Sequence, residues 1–135
     1  QPTQVPTIPP TQEEASPGGL SSDTIFTMIN AHRAQKGLSA YQKDDRLCAI
    51  AKQRAPQLNN EMFGDGYVHQ GFDAMDLEWW ITENMVHKPT EQAALNWWLG
   101  SGLHRRAIES EKHTHSCGTC SGNTCIQLFS SFEPK

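Results

Sequence analysis

Several things are missing from this chain of 135 residues, and each absence excludes a class of function. No apolar run approaches the ~18 residues that a membrane span requires, so no transmembrane segment is expected. No stripe of lysine or arginine is present, and the formal net charge is −4. A phosphate backbone needs a basic face, so nucleic acid is excluded as a partner. No serine sits in a Gly-x-Ser-x-Gly elbow, no glycine loop cradles a phosphate, and no compact His-Glu-x-x-His motif occurs. No Asn-x-Ser/Thr acceptor is found, which leaves N-glycosylation silent on compartment.

Cysteine, though scarce, is informative. Of four cysteines, Cys117, Cys120 and Cys125 fall close together and Cys48 stands far upstream. An even number in a small domain fits two disulfides, with three pairings open. Cys117-x-x-Cys120 also has the spacing of a redox or zinc pair. Its glycine-, serine- and threonine-rich surroundings favour a structural disulfide, because a redox pair should open a helix after a strand. His113 and His115 beside Cys117 add a mixed Cys/His metal site as a further alternative. The first residue is Gln1 and a Pro/Thr/Gln stretch follows, as in a mature secreted product after signal removal. Disulfides and that start together predict a secreted, extracellular protein.

Residues 1–20 carry five prolines and no periodic pattern, so a disordered Pro/Thr-rich arm is expected there, with a folded domain over 21–135. Ser21 or Ser22 can cap a first helix through Ile25, Phe26, Ile29 and Arg33, stopped by Gly37. Leu38 to Gln42 is short and suits extended backbone. Asp44 starts a second helix, kinked or ended at Pro56, with Asn59 and Asn60 closing it. A glycine-rich stretch follows and reads as loop with one helical turn at most. Pro89 and Thr90 introduce a third helix ending at Gly100, and His104 to Ser110 is a short further helix. From Thr114 to Phe132 the pattern is two strands joined across Gly118 to Gly122. The fold class expected is α+β, a three-layer α-β-α sandwich with a small antiparallel sheet.

The chain is organised around Trp79 to His104. All four tryptophans lie here, Trp79, Trp80, Trp97 and Trp98, with Glu83-Asn84 and a glycine turn before His104. Large apolar side chains flanking an acid and an imidazole suggest the wall of a cleft, with His69 supplied from the glycine-rich loop. Two imidazoles and a carboxylate suit zinc or another divalent cation, given a further ligand or water. The tryptophans read as core, with at least one as a possible lining for a lipid or sterol. Ser101 near His104, with Glu83 as orienter, is the basis of a hydrolase alternative, a protease or an esterase.

Several segments in order resemble a known family. They are Asn30-Ala31-His32-Arg33 with Lys36-Gly37, Arg46 to Ala51, Tyr67-Val68-His69, Thr82-Glu83-Asn84, and Trp98 to Arg105 with its Ser101 and His104. Over about residues 22–132 the chain is similar to the CAP superfamily, also called SCP/PR-1-like or cysteine-rich secretory/antigen 5/PR-1. The resemblance implies an extracellular, disulfide-braced α-β-α sandwich. It implies a central cavity of His69, Glu83 and His104, with Glu91 as candidate for a second acidic residue. It also implies binding of a small lipid or sterol, a divalent metal such as Zn²⁺, or both, with action through a protein receptor as a further possibility. Leu103 departs from the family's usual glycine before the histidine, and Arg105-Arg106 is closer to microbial relatives. Together with the C-terminal cysteines, this suggests a fungal or microbial-type secreted member.

Overall fold

The computed structural model describes residues 19–135. The arm expected over residues 1–20 lies outside the described residues, apart from Gly19 and Leu20. Helix α1 (Ser22–Gln35) starts where the Ser21 hydroxyl accepts the Thr24 N–H and ends at Gly37, whose φ of 75° is open to glycine at little cost. Helix α2 (Asp45–Arg54) starts on the Asp44 carboxylate, which accepts from the Arg46 and Leu47 amides. Pro56 then tightens the chain into a 3₁₀ turn (Ala55–Gln57), because it has no N–H for the regular ladder.

The chain does not stop at Asn59 and Asn60. Both lie inside α3 (Leu58–Phe63), which continues the rod beyond the turn. One further helical turn, α4 (Gln70–Asp73), follows His69.

Strand β1 (Trp79–His87) was not evident as a strand in the sequence. Helix α5 (Glu91–Leu99) is capped by Thr90, and α6 (Gly102–Ile108) follows from Ser101. Strands β2 (His115–Ser121) and β3 (Thr124–Pro134) form the expected hairpin. Its turn is tighter than the sequence suggested, since Gly118 to Ser121 belong to β2 and the reversal falls at Gly122 and Asn123. The sheet order is β1-β3-β2, antiparallel throughout, with β3 in the centre.

Alternation along β3 gives the sheet two covered faces. Cys125 and Phe129 point into a core with Ile25, Ile29, Leu95, Trp98 and Ile108, drawn from α1, α5 and α6. Ile126 and Leu128 point into a second core with Leu47, Ile50, Ala51 and Leu58, drawn from α2 and α3. The architecture is therefore α+β, with helices packed on both faces of a small sheet. Among the described residues, no helix is long and apolar enough to cross a membrane.

Both disulfides fix the sheet. Cys48–Cys117 ties α2 to β2, and Cys120–Cys125 crosses the hairpin between directly paired residues. All four cysteines are thereby used, which excludes the redox-pair and Cys/His metal alternatives. The two closures span 69 and 5 residues of sequence. Loop-closure entropy then assigns about 4 kcal/mol to the first and about 2 kcal/mol to the second. Denaturant unfolding of the paired alanine variants is expected to show the larger loss for Cys48→Ala with Cys117→Ala. An inverted order would mean that native-state strain, not chain entropy, governs these bridges.

Candidate functional site

The cleft is assembled at the open edge of β1. Pleating sends neighbouring residues of a strand to opposite faces. Glu83 pairs with Leu128 and so faces the α2 layer, while Asn84 pairs with Gln127 and faces the other. Each holds one of the two histidines found by sequence. The Nδ1–H of His69 donates to Glu83 Oε1 at 2.7 Å. On the far side, Asn84 Nδ2 donates to the backbone carbonyl of His104 at 3.0 Å. His69, Glu83, Asn84 and His104 line one open cleft of about 1090 Å³, which runs on past Arg106 to Lys112 and His113.

Beneath Glu83 lies a buried guanidinium that residue patterning does not single out. Arg54 has no exposed surface. It donates to Glu83 through Nε at 2.8 Å and Nη2 at 3.0 Å, and to Glu61 through Nη1 at 2.6 Å and Nη2 at 2.7 Å. Gln57 also accepts from Nη1. Two carboxylates around one cation leave this buried group one negative charge in excess, next to the His69 ring. Burial alone would raise the Glu61 carboxyl. Hydrogen bonds from Arg54 and from the Gly71 and His69 backbone amides, with the Arg54 charge, instead bring it below its ordinary value.

His69 itself sits in left-handed backbone, with φ 72° and ψ 6°. For a residue with a Cβ this costs about 1–2 kcal/mol, and such strain persists only where surrounding contacts impose it. His104 lies in the first turn of α6, where its Nδ1 shares a hydrogen bond of 2.8 Å with the Ser101 hydroxyl. Desolvation, and then repulsion from His69, lower its pKa, so it stays neutral further into acid.

The other sequence candidates separate. Trp98 is fully buried and donates to the Met85 carbonyl. Trp79 packs edge-on to Phe132, and Trp80 is exposed beside Lys135. Trp97 is 45% exposed and packs on the His104 ring at 5.0 Å, and it is not itself among the lining residues. Leu103 lines the cleft and is 74% exposed. Glu91 lies at the start of α5, where its carboxylate accepts the Ser21 N–H at 2.7 Å, and it is not among the lining residues. The carboxylate that joins Glu83 on Arg54 is Glu61.

Each cleft imidazole engages its Nδ1 in a hydrogen bond within the protein. Among the described residues, no group of three or more His, Cys, Asp or Glu could enclose an ion, so a closed four-ligand structural zinc site has no counterpart there.

Residues 26–129 match the cysteine-rich secretory protein family, CAP. Three solved structures share the fold. A cysteine-rich secretory protein from Staphylococcus aureus subsp. aureus Mu50 aligns with TM-score 0.67 and 15% identity, over 81% of this chain and 37% of that one. An outer surface protein from Borrelia burgdorferi gives 0.65 and 18%, over 82% and 92%. An extracellular protein containing an SCP domain from Bacillus anthracis str. Ames gives 0.64 and 19%, over 81% and 39%. The chain thus spans well under half of two of these proteins. No curated protein sequence matches the chain.

Burial also lowers the pKa of His113, aided by the Arg33 charge, with Glu133 acting weakly against it. An unfolded histidine titrates near ~6.5. Below that value the unfolded chain takes up protons that the folded His104 and His113 resist, so stability is complete above it and falls as pH drops. The melting temperature is expected to fall between pH 7.5 and 5.5, and to fall less in His113→Gln. An equal fall in both proteins would show that His113 is not a contributor.

Proposed function

The chain belongs to the cysteine-rich secretory protein (CAP) family, and from that membership we propose that it is a secreted binding domain. Its cleft takes a divalent cation such as Zn²⁺ between His69 and His104, together with a small lipid or sterol against the apolar rim of Trp97 and Leu103. The observation that carries this reading is the hydrogen bond from His69 Nδ1 to Glu83. A carboxylate on one ring nitrogen fixes the tautomer and leaves the other nitrogen as a ligand, the usual arrangement behind a metal-bound imidazole. The excess negative charge of the Glu61–Arg54–Glu83 group, buried beside that ring, favours a cation further.

The metal supplies a Lewis-acidic centre to which an oxygen of a ligand can bind. The chain's own part is to hold the two rings, to present Trp97 and Leu103 to an apolar tail, and to keep His104 unprotonated. Apolar contact contributes roughly 25 cal/mol per Å² buried, as a gross term. Protons compete with the cation for the ring nitrogens, so occupancy falls in acid. Calorimetry is expected to record Zn²⁺ uptake at pH 7.5, much weakened at pH 5 and abolished by His69→Ala with His104→Ala. A folded wild-type protein that takes up no Zn²⁺ at pH 7.5 would overturn the metal part of the reading.

One contact favours a second reading, a serine hydrolase. Ser101 Oγ lies 2.8 Å from His104 Nδ1, within the reach that a nucleophile and its base require. Against it, no carboxylate among the described residues is hydrogen-bonded to His104. A set of ester substrates decides the matter. Turnover that Ser101→Ala removes would establish the hydrolase, and no turnover would leave the Ser101–His104 contact as a side-chain pairing in the first turn of α6.

A further inference from the structure

We propose that Arg54 and Glu61 are positioning residues, a buried clamp that places the His69 ring before any ligand arrives. This rests on the reading of His69 as a ligand, and it assigns a role to two residues that are not themselves among those lining the cleft.

The argument begins with the backbone of His69. Left-handed backbone is uncommon for a residue with a Cβ, and His69 adopts it directly ahead of a four-residue helix. Two contacts impose it. On the ring side, Glu83 accepts from Nδ1. On the backbone side, Glu61 Oε2 accepts the Gly71 N–H at 2.8 Å, two residues beyond the histidine. Both carboxylates are held in turn by the same guanidinium, whose two edges are used at once. One planar group therefore sets the distance between the anchor for the ring and the anchor for the loop.

Gly71 is part of the device. A Cβ at this position would lie 2.5 Å from Arg54 Nη1 and would also collide with Gln57 Oε1. Glycine is what lets the loop lie directly on the clamp. Lysine in place of Arg54 could not serve, because a point charge has no fork to hold two carboxylates in fixed orientation. Glu61 is buried, and its two oxygens are engaged by Arg54 and Gly71. It is thus a carboxylate whose acceptor sites are turned to the protein and not to a ligand.

The decisive comparison is wild type against Glu61→Asp and Gly71→Ala, all first without metal. Aspartate keeps the charge but is one methylene short of spanning Arg54 and the loop. Nitrogen-15 spectra report the His69 tautomer, and amide exchange reports the Gly71 N–H. In wild type, His69 is expected as the Nδ1-protonated tautomer and the Gly71 amide as protected. In each folded variant the amide at position 71 should exchange at least ten-fold faster and the His69 signals should broaden or change form, while the central β3 amides keep their protection. Zn²⁺, used as the probe, should then bind roughly ten- to a hundred-fold more weakly. Unchanged exchange and unchanged ring signals in a folded variant would overturn the proposal. Should neither variant fold, wild type decides: a Gly71 amide that exchanges as freely as an open loop overturns it, and a protected one sustains it. If the metal-free signals behave as expected but wild type takes up no Zn²⁺, the cation reading falls and the positioning role stands.

Discussion

A single buried cation, the guanidinium of Arg54, is the constraint on which the cleft depends. It ends α2, contacts Glu61 from α3 and contacts Glu83 from β1. Three elements thus meet through one group with no exposed surface. Removing one partner of such a buried pair costs about 3–5 kcal/mol, because the remaining charge cannot return to water. The cost of desolvating the group is met by geometry. A planar fork satisfies both carboxylates with charge-assisted hydrogen bonds, and Gln57 takes up part of the remaining donor capacity. The Cys48–Cys117 bridge holds the same helix to β2 on the other side of the sheet. Helix α2 is therefore pinned at both edges, by a covalent bond at one and by ion pairs at the other.

The second organising feature is the pair Glu83-Asn84 on an edge strand. Strand alternation points one side chain down to the Arg54 layer and the other up to the α6 layer. The first reaches His69 and the second reaches the backbone of His104, so two histidines from separate layers are brought to one opening. An edge strand suits this role. Its outer side has no neighbouring strand in the sheet, which leaves room for a cleft that runs from His69 toward His113.

Much of this was legible in the chain, and what was not has physical reasons. Capping residues are local signals, so Ser21, Asp44 and Thr90 marked three helix starts that the structure shares. Strand β1 was missed because its burial does not alternate in its second half. From Glu83 to Val86 the chain is buried on both faces, since helices cover the sheet above and below. Period-two patterning fails there for the same reason that the fold is a sandwich. Arg54 was missed because an arginine in a helix normally reads as a solvated face. The one clue was Glu61, seven residues on and so two helical turns away, but Pro56 between them argued for a break. The chain answers with a 3₁₀ turn that preserves the direction of the rod. Glu91 was placed by its order between Glu83 and His104. Order along the chain does not fix depth in the fold, and at the start of α5 its charge faces the Ser21 amide.

The distribution of carboxylates around the cleft limits what it can do. Glu83 accepts from Arg54 and His69, Glu61 from Arg54 and Gly71, and Glu109, at the far wall, from His32. Glu109 is held below its ordinary pKa by the His32 hydrogen bond first, against an opposing burial effect, with smaller charge effects from His32, Lys36 and Arg105. Glu61 is likewise kept ionised, by the bonds already described. A general acid near neutrality requires the opposite, a carboxyl raised toward pH 6–7 by burial without a partner. Two imidazoles also line the cleft, one fixed through Glu83 and one whose pKa is lowered first by desolvation. Carboxylates paired within the frame, with two imidazoles facing the cleft, suit the proposed ligand binding better than the passing of a proton between two acids.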